Sequence, residues 1–192
     1  ALISAEDLEF VAGLARNRAG LMLRGEKQFF IQSRLSALAR REALASVAVL
    51  IQRLRTLGDD ALSQAAVEAL AAPETSFFRD RTPFEHLADD ILPELAAVRP
   101  QGEVRIWCAG CSTGQEAYSL AILGDRARAF APQLNLTIVA TDISERALEK
   151  ARSGLYTQFE VQRGLPIRQL IQNFEPAEDN WRAGPRLRQA VQ

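Results

Sequence analysis

The chain has 192 residues, of which 47% are hydrophobic and 24% charged, and its formal net charge at pH 7 is -1. This composition is typical of a soluble globular protein with one or two domains. No apolar run reaches the length of a transmembrane helix, and the first residues lack the basic region and apolar core of a signal peptide. We therefore expect a cytoplasmic protein with no direct membrane insertion.

Residues 1–72 predict an all-helical unit. Apolar residues recur at helical spacing, and serines precede two of the stretches as candidate caps. The apolar stripes are most simply the core of a small bundle. The four predicted helices start at Ser4, at Glu26, at Ser46, and at Asp59 or Asp60.

The charge of this helical unit is uneven. From Arg16 to Arg55 there are nine basic residues and two acidic ones. Such a face attracts an acidic partner, although a solvated helix face without a partner explains any single residue as well. A nucleic-acid partner is disfavoured, because the stretch lacks interleaved exposed aromatic residues and any recognisable nucleic-acid motif.

Prolines punctuate the next segment. Pro73 breaks the helical pattern of the first unit. Thr82 to Glu85 predicts a new helix start, with Pro83 at the first helical position and a capping-box glutamate. Pro93 is predicted to end or kink that helix.

The most informative stretch follows. An apolar strand from Val104 to Cys108 enters a loop that contains Gly110 and Gly114, and a helix begins after the second glycine. A second strand ends at Asp142. This order is how an α/β sheet builds a nucleotide site, with helix N-terminal amides facing the loop and the carboxylate placed to accept hydrogen bonds from a ribose.

The loop pattern narrows the ligand. No lysine follows Gly114, so the loop is not a P-loop, and the spacing is not that of the dinucleotide G-x-G-x-x-G motif. The remaining ligand class is a nucleoside without a pyrophosphate, and S-adenosylmethionine is the commonest ligand of that class. Taken singly, the glycines are also explained by a tight turn, and Asp142 is also explained as a cap of the helix that Ser144 caps. The presence of the strand, the two glycines, the helix and Asp142 in this order favours the nucleoside site.

Cys108 and Cys111 are the only cysteines, and His86 is the only histidine. A C-x-x-C pair can belong to a redox centre or to half of a zinc site. There is no second cysteine pair and the histidine lies far off in sequence, so we expect no metal and small buried residues at a strand end.

These residues resemble the chemotaxis receptor methyltransferases, the CheR family, which transfer a methyl group from S-adenosylmethionine to glutamate side chains of chemoreceptors. The shared motifs are Gly-Leu-Met-Leu, Thr-Ser-Phe-Phe-Arg, Trp-Cys-Ala-Gly-Cys-Ser-Thr-Gly, Ala-Thr-Asp-Ile-Ser and Gly154-Leu-Tyr156. The resemblance implies an α/β protein: a small N-terminal helical bundle, residues 1–72, followed by a Rossmann-like S-adenosylmethionine-dependent methyltransferase domain, residues 73–192, here incomplete.

The resemblance also implies a site. Thr75 and Arg79 would reach the methionine end of the cofactor and the methyl-transfer centre, and Asp142 would hold the ribose hydroxyls. Arg79 is the implied catalytic residue, which steers the acceptor carboxylate or binds that of the cofactor; the alternative is a surface ion pair with Asp80 or Glu74. The implied cofactor-binding residues are Thr75, Arg79, Ala109, Gly110, Gly114, Gln115 and Asp142.

Two positions depart from the family pattern. Gln115 stands where a glutamate is common, and Pro73 replaces a common asparagine. The implied partners are the acidic, glutamate-bearing cytoplasmic helices of chemoreceptors, with recruitment to membrane receptor arrays. The candidate substrate-binding residues are Arg34, Arg40 and Arg41.

Later segments of the family have no counterpart here, and Trp181 to Gln192 resembles the approach to the next strand. We therefore expect a truncated chain whose exposed sheet edge favours self-association and whose activity is doubtful. The alternative function is a non-catalytic cofactor-binding or receptor-binding module of the same family.

Overall fold

The computed structural model describes residues 3–23, 28–58, 60–71 and 74–192. By the proximity of its Cα atoms the chain divides into two compact units, Ala1–Ala72 and Pro73–Gln192. The expected starts at Glu26 and Asp59 and the break at Pro73 lie outside the described residues. In the described part of the chain, no helix combines the length and the hydropathy of a membrane span.

The first unit is helical. Ser4 Oγ accepts a hydrogen bond from the Asp7 amide at 3.1 Å, and Ser46 Oγ accepts one from the Val49 amide at 3.2 Å. Each bond satisfies an N-terminal amide that has no partner within its helix, so both predicted caps are confirmed. The helices of this unit are α1 (Ala5–Ala19), α2 (Gln28–Arg41), α3 (Val47–Leu57) and α4 (Asp60–Ala71).

One apolar core joins these four helices. Each helix contributes side chains that are almost fully buried, and the smaller alanines allow the helices to pack closely. This is the stripe that the helical spacing predicted. The best buried members are Val11, Ile31, Leu35, Leu50, Ile51 and Leu70.

The second unit opens with a helical segment whose start was predicted wrongly. Helix α5 (Arg81–His86) begins one residue before Thr82, and Asp80 precedes it with a φ of 54° and no side-chain cap. Glu85 pairs with Arg81 instead of closing a capping box. Pro83 lies in the first turn, where no backbone amide has a helical partner, so it does not fix the first residue.

Pro93 marks a break in the helical geometry, as predicted. A single π-helical turn, Leu87–Ile91, connects α5 to α6 (Leu92–Val98), which carries the proline near its start. A proline has no amide to donate and its ring disturbs the preceding turn, and local widening accommodates both effects.

The central layer is a parallel pair, β1 (Glu103–Ala109) and β2 (Asn135–Thr141), linked by α7 (Gln115–Arg128). Val104, Cys108, Leu136 and Ile138 are buried on the face that the helices cover. Trp107 and Val139 are exposed on the other face. Helix α7 is buried around most of its circumference, and a Cβ at its Gly124 would lie 2.6 Å from a methyl group of Leu136.

The remaining chain forms a small antiparallel sheet and its helices. Three strands pair in the order β3-β5-β4. The elements are α8 (Glu145–Ser153), β3 (Leu155–Thr157), α9 (Gln158–Gln162), α10 (Ile167–Asn173), β4 (Phe174–Ala177), β5 (Asn180–Ala183) and α11 (Pro185–Ala190).

The expectation for Trp181 to Gln192 was partly wrong. Trp181 lies inside β5 of the small sheet, where it pairs with Tyr156 of β3. The last two residues pair with the main sheet: Val191 forms a parallel bridge with Ile138, and the Gln192 amide donates to the Ile138 carbonyl at 2.9 Å.

Candidate functional site

The glycine loop is held by the end of the neighbouring strand. The backbone amides of Gly110 and Cys111 both donate to the Thr141 carbonyl, at 2.8 and 2.9 Å. Gly110 has a φ of 77° and Gly114 a φ of 94°, a conformation that side chains disfavour. The loop therefore leaves β1, bonds to the end of β2 and turns into the N-terminus of α7, as its glycine spacing predicted.

Asp142 connects the same two strand ends. Its Oδ2 accepts from the Ser112 amide at 2.8 Å, and its Oδ1 accepts from the Ser144 amide at 2.9 Å. Ser144, not Asp142, caps α8, through a bond from the Ala147 amide. An ionised carboxylate accepts about four hydrogen bonds, so the half-buried Asp142 keeps capacity for two ribose hydroxyls.

Two further observations test whether the loop fits a nucleoside. Ser112 Oγ is buried and has no hydrogen-bond partner in the described part of the chain, and Ser112 is held at a φ of 51°. A Cβ added at Gly110 would meet no described atom within 4 Å, so space is open above the loop. An unsatisfied hydroxyl, a carboxylate with free lone pairs and open space fit a polar nucleoside.

Two of the residues expected near the methionine end of the cofactor line one groove of about 510 Å³. Thr75, Thr113 and Gln115 line it, together with Lys150 and Glu160. Gln115 is 3% exposed, and its Oε1 accepts from the Thr113 hydroxyl at 2.7 Å. The structure thus brings Thr75 and Gln115 together, although they are far apart in sequence.

Arg79 forms an ion pair with Glu74, which the sequence analysis gave as the alternative to a catalytic role. Its Nη1 donates to the Glu74 carbonyl at 2.7 Å, and its Nη2 lies 3.6 Å from Glu74 Oε2. Glu74 also lies 3.7 Å from an Arg163 nitrogen. The Arg79 side chain is half exposed, so this pair is accessible to a competing carboxylate.

Ala109, another of the expected cofactor-binding residues, is the last residue of β1 and is exposed.

The three candidate substrate-binding arginines on α2 have different surroundings. Arg34 is half-buried, and its Nη1 donates to the Leu70 carbonyl at 3.2 Å, which ties α2 to the end of α4. Arg41 Nε lies 3.1 Å from Glu42 Oε1. Arg40 is exposed. The half-buried Arg34 connects two helices of its unit, while Arg40 and Arg41 face solvent.

Sequence reasoning missed the role of Tyr156. This residue is fully buried, and its hydroxyl donates to the Thr113 carbonyl in the glycine loop at 2.7 Å. The signal was the Gly154-Leu-Tyr156 motif, which contributed to the resemblance but suggested no contact. Lys150 and Glu160, an ion pair beside the groove, were missed as well.

The two cysteines are buried and free. Burial, reinforced by the nearby Glu116 carboxylate, raises the pKa of Cys108 to about 12, and burial also raises the pKa of Cys111. The described residues contain no cluster of three or more histidine, cysteine or acidic side chains placed to bind a metal. Burial at the strand end is what the sequence favoured for both cysteines.

The chain is similar in sequence to known proteins along most of its length. Residues 73–192 match the family model described as "CheR methyltransferase, SAM binding domain". The chain is 32% identical to "Chemotaxis protein methyltransferase Cher2" of Pseudomonas putida over 190 residues, which is 97% of this chain and 69% of that protein. It is 37% identical to a "Chemotaxis protein methyltransferase" of Vibrio parahaemolyticus over 180 residues, 92% of this chain and 64% of that protein.

A relative of the same printed name from Salmonella typhimurium is 35% identical over 151 residues, 79% of this chain and half of that protein. These matches, with the mixed helix and strand architecture, confirm the α/β fold class, the methyltransferase assignment and S-adenosylmethionine as the cofactor of the matched domain. The chain therefore belongs to the CheR methyltransferase family.

Proposed function

We propose that this chain transfers the methyl group of S-adenosylmethionine to glutamate side chains of chemoreceptors. One observation carries the proposal: the glycine loop of the matched domain bonds to Asp142 on one side and lines a groove with Thr75 and Gln115 on the other. The names of the relatives, chemotaxis protein methyltransferases, support the acceptor class.

In this proposal the nucleoside lies over the open space at Gly110, with Ala109 and Gly114 bordering it. The two unused acceptor positions of Asp142 take the ribose hydroxyls, in addition to the backbone bonds it already accepts. The methionine end extends to Thr75 and Gln115. Gln115 supplies hydrogen bonds without the charge of the family's common glutamate.

When bound, the cofactor supplies a methyl group on a positively charged sulfur. The acceptor glutamate is already ionised near neutral pH, so no residue of the chain has to remove a proton. The methyl group would pass to the carboxylate oxygen, and the electron pair of the broken carbon–sulfur bond would stay on the sulfur of the cofactor. The task of the chain's own residues is therefore to align the carboxylate and to exclude water.

Arg79 is the residue we assign to carboxylate alignment. Its guanidinium can hold a carboxylate with two parallel hydrogen bonds, either that of the acceptor or that of the cofactor. For this it has to release the Glu74 side chain, which lies 3.6 Å away. Release is easy, because an exposed ion pair contributes at most about 1 kcal/mol.

The helical unit is proposed to contact the receptor. The acidic cytoplasmic helices of a chemoreceptor are attracted to its excess of basic residues, which raises the association rate more than the affinity. Arg40 and Arg41, which are exposed, are the preferred contacts, and Arg34 contributes from its half-buried position. We place the protein in the cytoplasm, recruited to receptor arrays.

The test is methyl transfer by the 192-residue chain to a purified receptor cytoplasmic fragment. We expect label from methyl-labelled S-adenosylmethionine to appear as a base-labile ester and to be lost when the acceptor glutamates are changed to alanine. Arg79→Ala should lower the rate by about 100-fold if alignment is its role. Arg81→Ala is the matched control, since Arg81 is an exposed arginine of the same segment that pairs only with Glu85 among the described residues.

Two outcomes contradict the proposal. Nucleoside binding without transfer to any receptor glutamate would favour the alternative, a non-catalytic cofactor-binding or receptor-binding module. Equal effects of Arg79→Ala and Arg81→Ala would remove Arg79 from the transfer centre.

A further inference from the structure

Tyr156 connects three parts of the second unit at one buried point. Its side chain has no exposed surface, although it carries a polar hydroxyl. That hydroxyl donates to the Thr113 carbonyl, 43 residues earlier in the chain, at 2.7 Å. Thr113 is the loop residue just before Gly114, so the bond fixes the glycine loop where it turns into α7.

The ring of Tyr156 packs against the segment that contains Thr75 and Arg79. The Phe77 ring, also fully buried, meets it edge-on at 5.1 Å between centroids. Phe174 of β4 completes the cluster, at 5.5 Å from Phe77 and 6.3 Å from Tyr156. The aromatic cluster thus couples the loop, the Thr75–Arg79 segment and the small sheet.

The Tyr156 hydroxyl is tightly packed against the glycine loop. A Cβ added at Gly114 would lie 2.9 Å from that oxygen, so only glycine allows the tyrosine to reach the loop. Lys150 Nζ lies 5.8 Å from the ring centre on the groove side. Burial raises the pKa of Tyr156, so the phenol stays protonated and remains a hydrogen-bond donor.

We infer that Tyr156 is a positioning residue for the cofactor: its hydroxyl holds the Thr113 carbonyl and thereby the loop conformation that receives the nucleoside. The inference rests on the cofactor placement of the proposed function, and it is independent of which side chain accepts the methyl group. The Tyr156 side chain is fully buried, and its hydroxyl is bonded to the Thr113 carbonyl. Its effect passes through the loop backbone.

The chain contains its own control. Tyr118 is the only other tyrosine. It is also buried, and its hydroxyl donates to a backbone carbonyl, that of Ala151, at 2.8 Å. Burial raises the pKa of Tyr118 to about 12, so it is a donor at neutral pH too. Tyr118→Phe and Tyr156→Phe therefore remove the same group from comparable surroundings, and only one of the two holds the glycine loop.

The experiment is calorimetric titration of S-adenosylhomocysteine into the full chain and both variants, with urea unfolding of each. We expect Tyr156→Phe to raise the dissociation constant about fivefold, the equivalent of one lost hydrogen bond, and Tyr118→Phe to change it less than about twofold. Both variants keep their rings and should unfold at similar urea concentrations. Hydrogen exchange of residues 110–114 should accelerate only in Tyr156→Phe.

Equal dissociation constants for the two variants would overturn the inference. They would show that the loss of any buried tyrosine hydroxyl weakens binding by destabilising the fold as a whole. Unchanged affinity in Tyr156→Phe would overturn it as well. If the unaltered chain does not bind S-adenosylhomocysteine, the cofactor placement fails and the inference fails with it. If it binds without methylating receptors, only the proposed acceptor is wrong, and the comparison of tyrosines remains valid.

Discussion

The carboxylate of Asp142 accepts a hydrogen bond from the Ser112 backbone amide at 2.8 Å, 30 residues away in sequence. The end of β2 is thereby tied to the loop that follows β1. A single side chain both shapes the loop and, in our proposal, binds the ribose. Substitution at this position should therefore reduce affinity and stability together.

Asp142→Ala should weaken S-adenosylhomocysteine binding at least about tenfold and lower the free energy of unfolding by about 1 to 3 kcal/mol, because two backbone amides lose a charged acceptor. Titration calorimetry and urea unfolding measure the two effects. Asp90→Ala is the control, since Asp90 is an exposed carboxylate paired with His86. Binding within twofold of the unaltered chain would show that Asp142 serves the loop alone.

Alanine should destabilise the fold more at Gly114 than at Gly110, the other loop glycine. At Gly114 the new Cβ would lie 2.9 Å from both the Ala151 Cβ and the Tyr156 hydroxyl, so Gly114→Ala should destabilise the fold by about 2 to 4 kcal/mol. At Gly110 the methyl group enters open space and costs only the positive φ, about 1 to 2 kcal/mol.

Where both variants stay folded, Gly110→Ala should weaken ligand binding more than Gly114→Ala does. The Gly110→Ala methyl group occupies the space proposed for the nucleoside, so S-adenosylhomocysteine should bind about tenfold more weakly. Native-like affinity in Gly110→Ala would mean that the ligand does not lie over this glycine. Circular dichroism and calorimetry at a temperature where both variants are folded make the comparison.

The Lys150–Glu160 ion pair should give the second unit a pH-dependent stability. Burial alone would raise the pKa of Glu160, but hydrogen bonds from Lys150 and from the Thr157 backbone amide outweigh it, and the pKa is lowered from its ordinary 4.5. A carboxyl whose pKa is lower in the folded state stabilises the fold above its unfolded pKa. That contribution is lost as the pH falls through the lower, folded value.

The free energy of unfolding of the unaltered chain should therefore exceed that of Glu160→Gln by up to about 1 kcal/mol at pH 7, and the difference should be smaller at pH 3, below the ordinary pKa of the carboxyl. Urea titrations at the two pH values measure it. Glu145→Gln is a control from an exposed pair with Arg152. A difference that persists unchanged at pH 3 would contradict the assigned sign.

Arg34 and Arg40 should separate stability from receptor contact. Arg34→Ala removes a hydrogen bond to the Leu70 carbonyl and should cost about 1 kcal/mol of stability. Arg40→Ala changes an exposed residue and should leave stability within about 0.5 kcal/mol, while it lowers the methylation rate at low salt more than at high salt. An Arg40→Ala rate that does not depend on salt would argue against electrostatic attraction of the receptor.

Local spacing along the chain predicted the secondary-structure elements and supplied the candidate residues of the site. The serine caps of α1 and α3, the strand–glycine loop–helix order and the position of Asp142 depend on short-range spacing, which the chain carries directly. The start of α5 was predicted one residue too late, because a proline in the first turn is compatible with more than one first residue.

Contacts between residues that are distant in sequence followed from packing and could not be predicted from local spacing. The Tyr156 hydroxyl bonds to Thr113 and the Arg34 guanidinium to Leu70, and neither pair follows a helical or strand period. Such contacts depend on how packed elements bring remote backbone groups within about 3 Å, where a buried donor has to find an acceptor. Local spacing predicts that a loop and a carboxylate exist, and packing selects the residues that hold them in place.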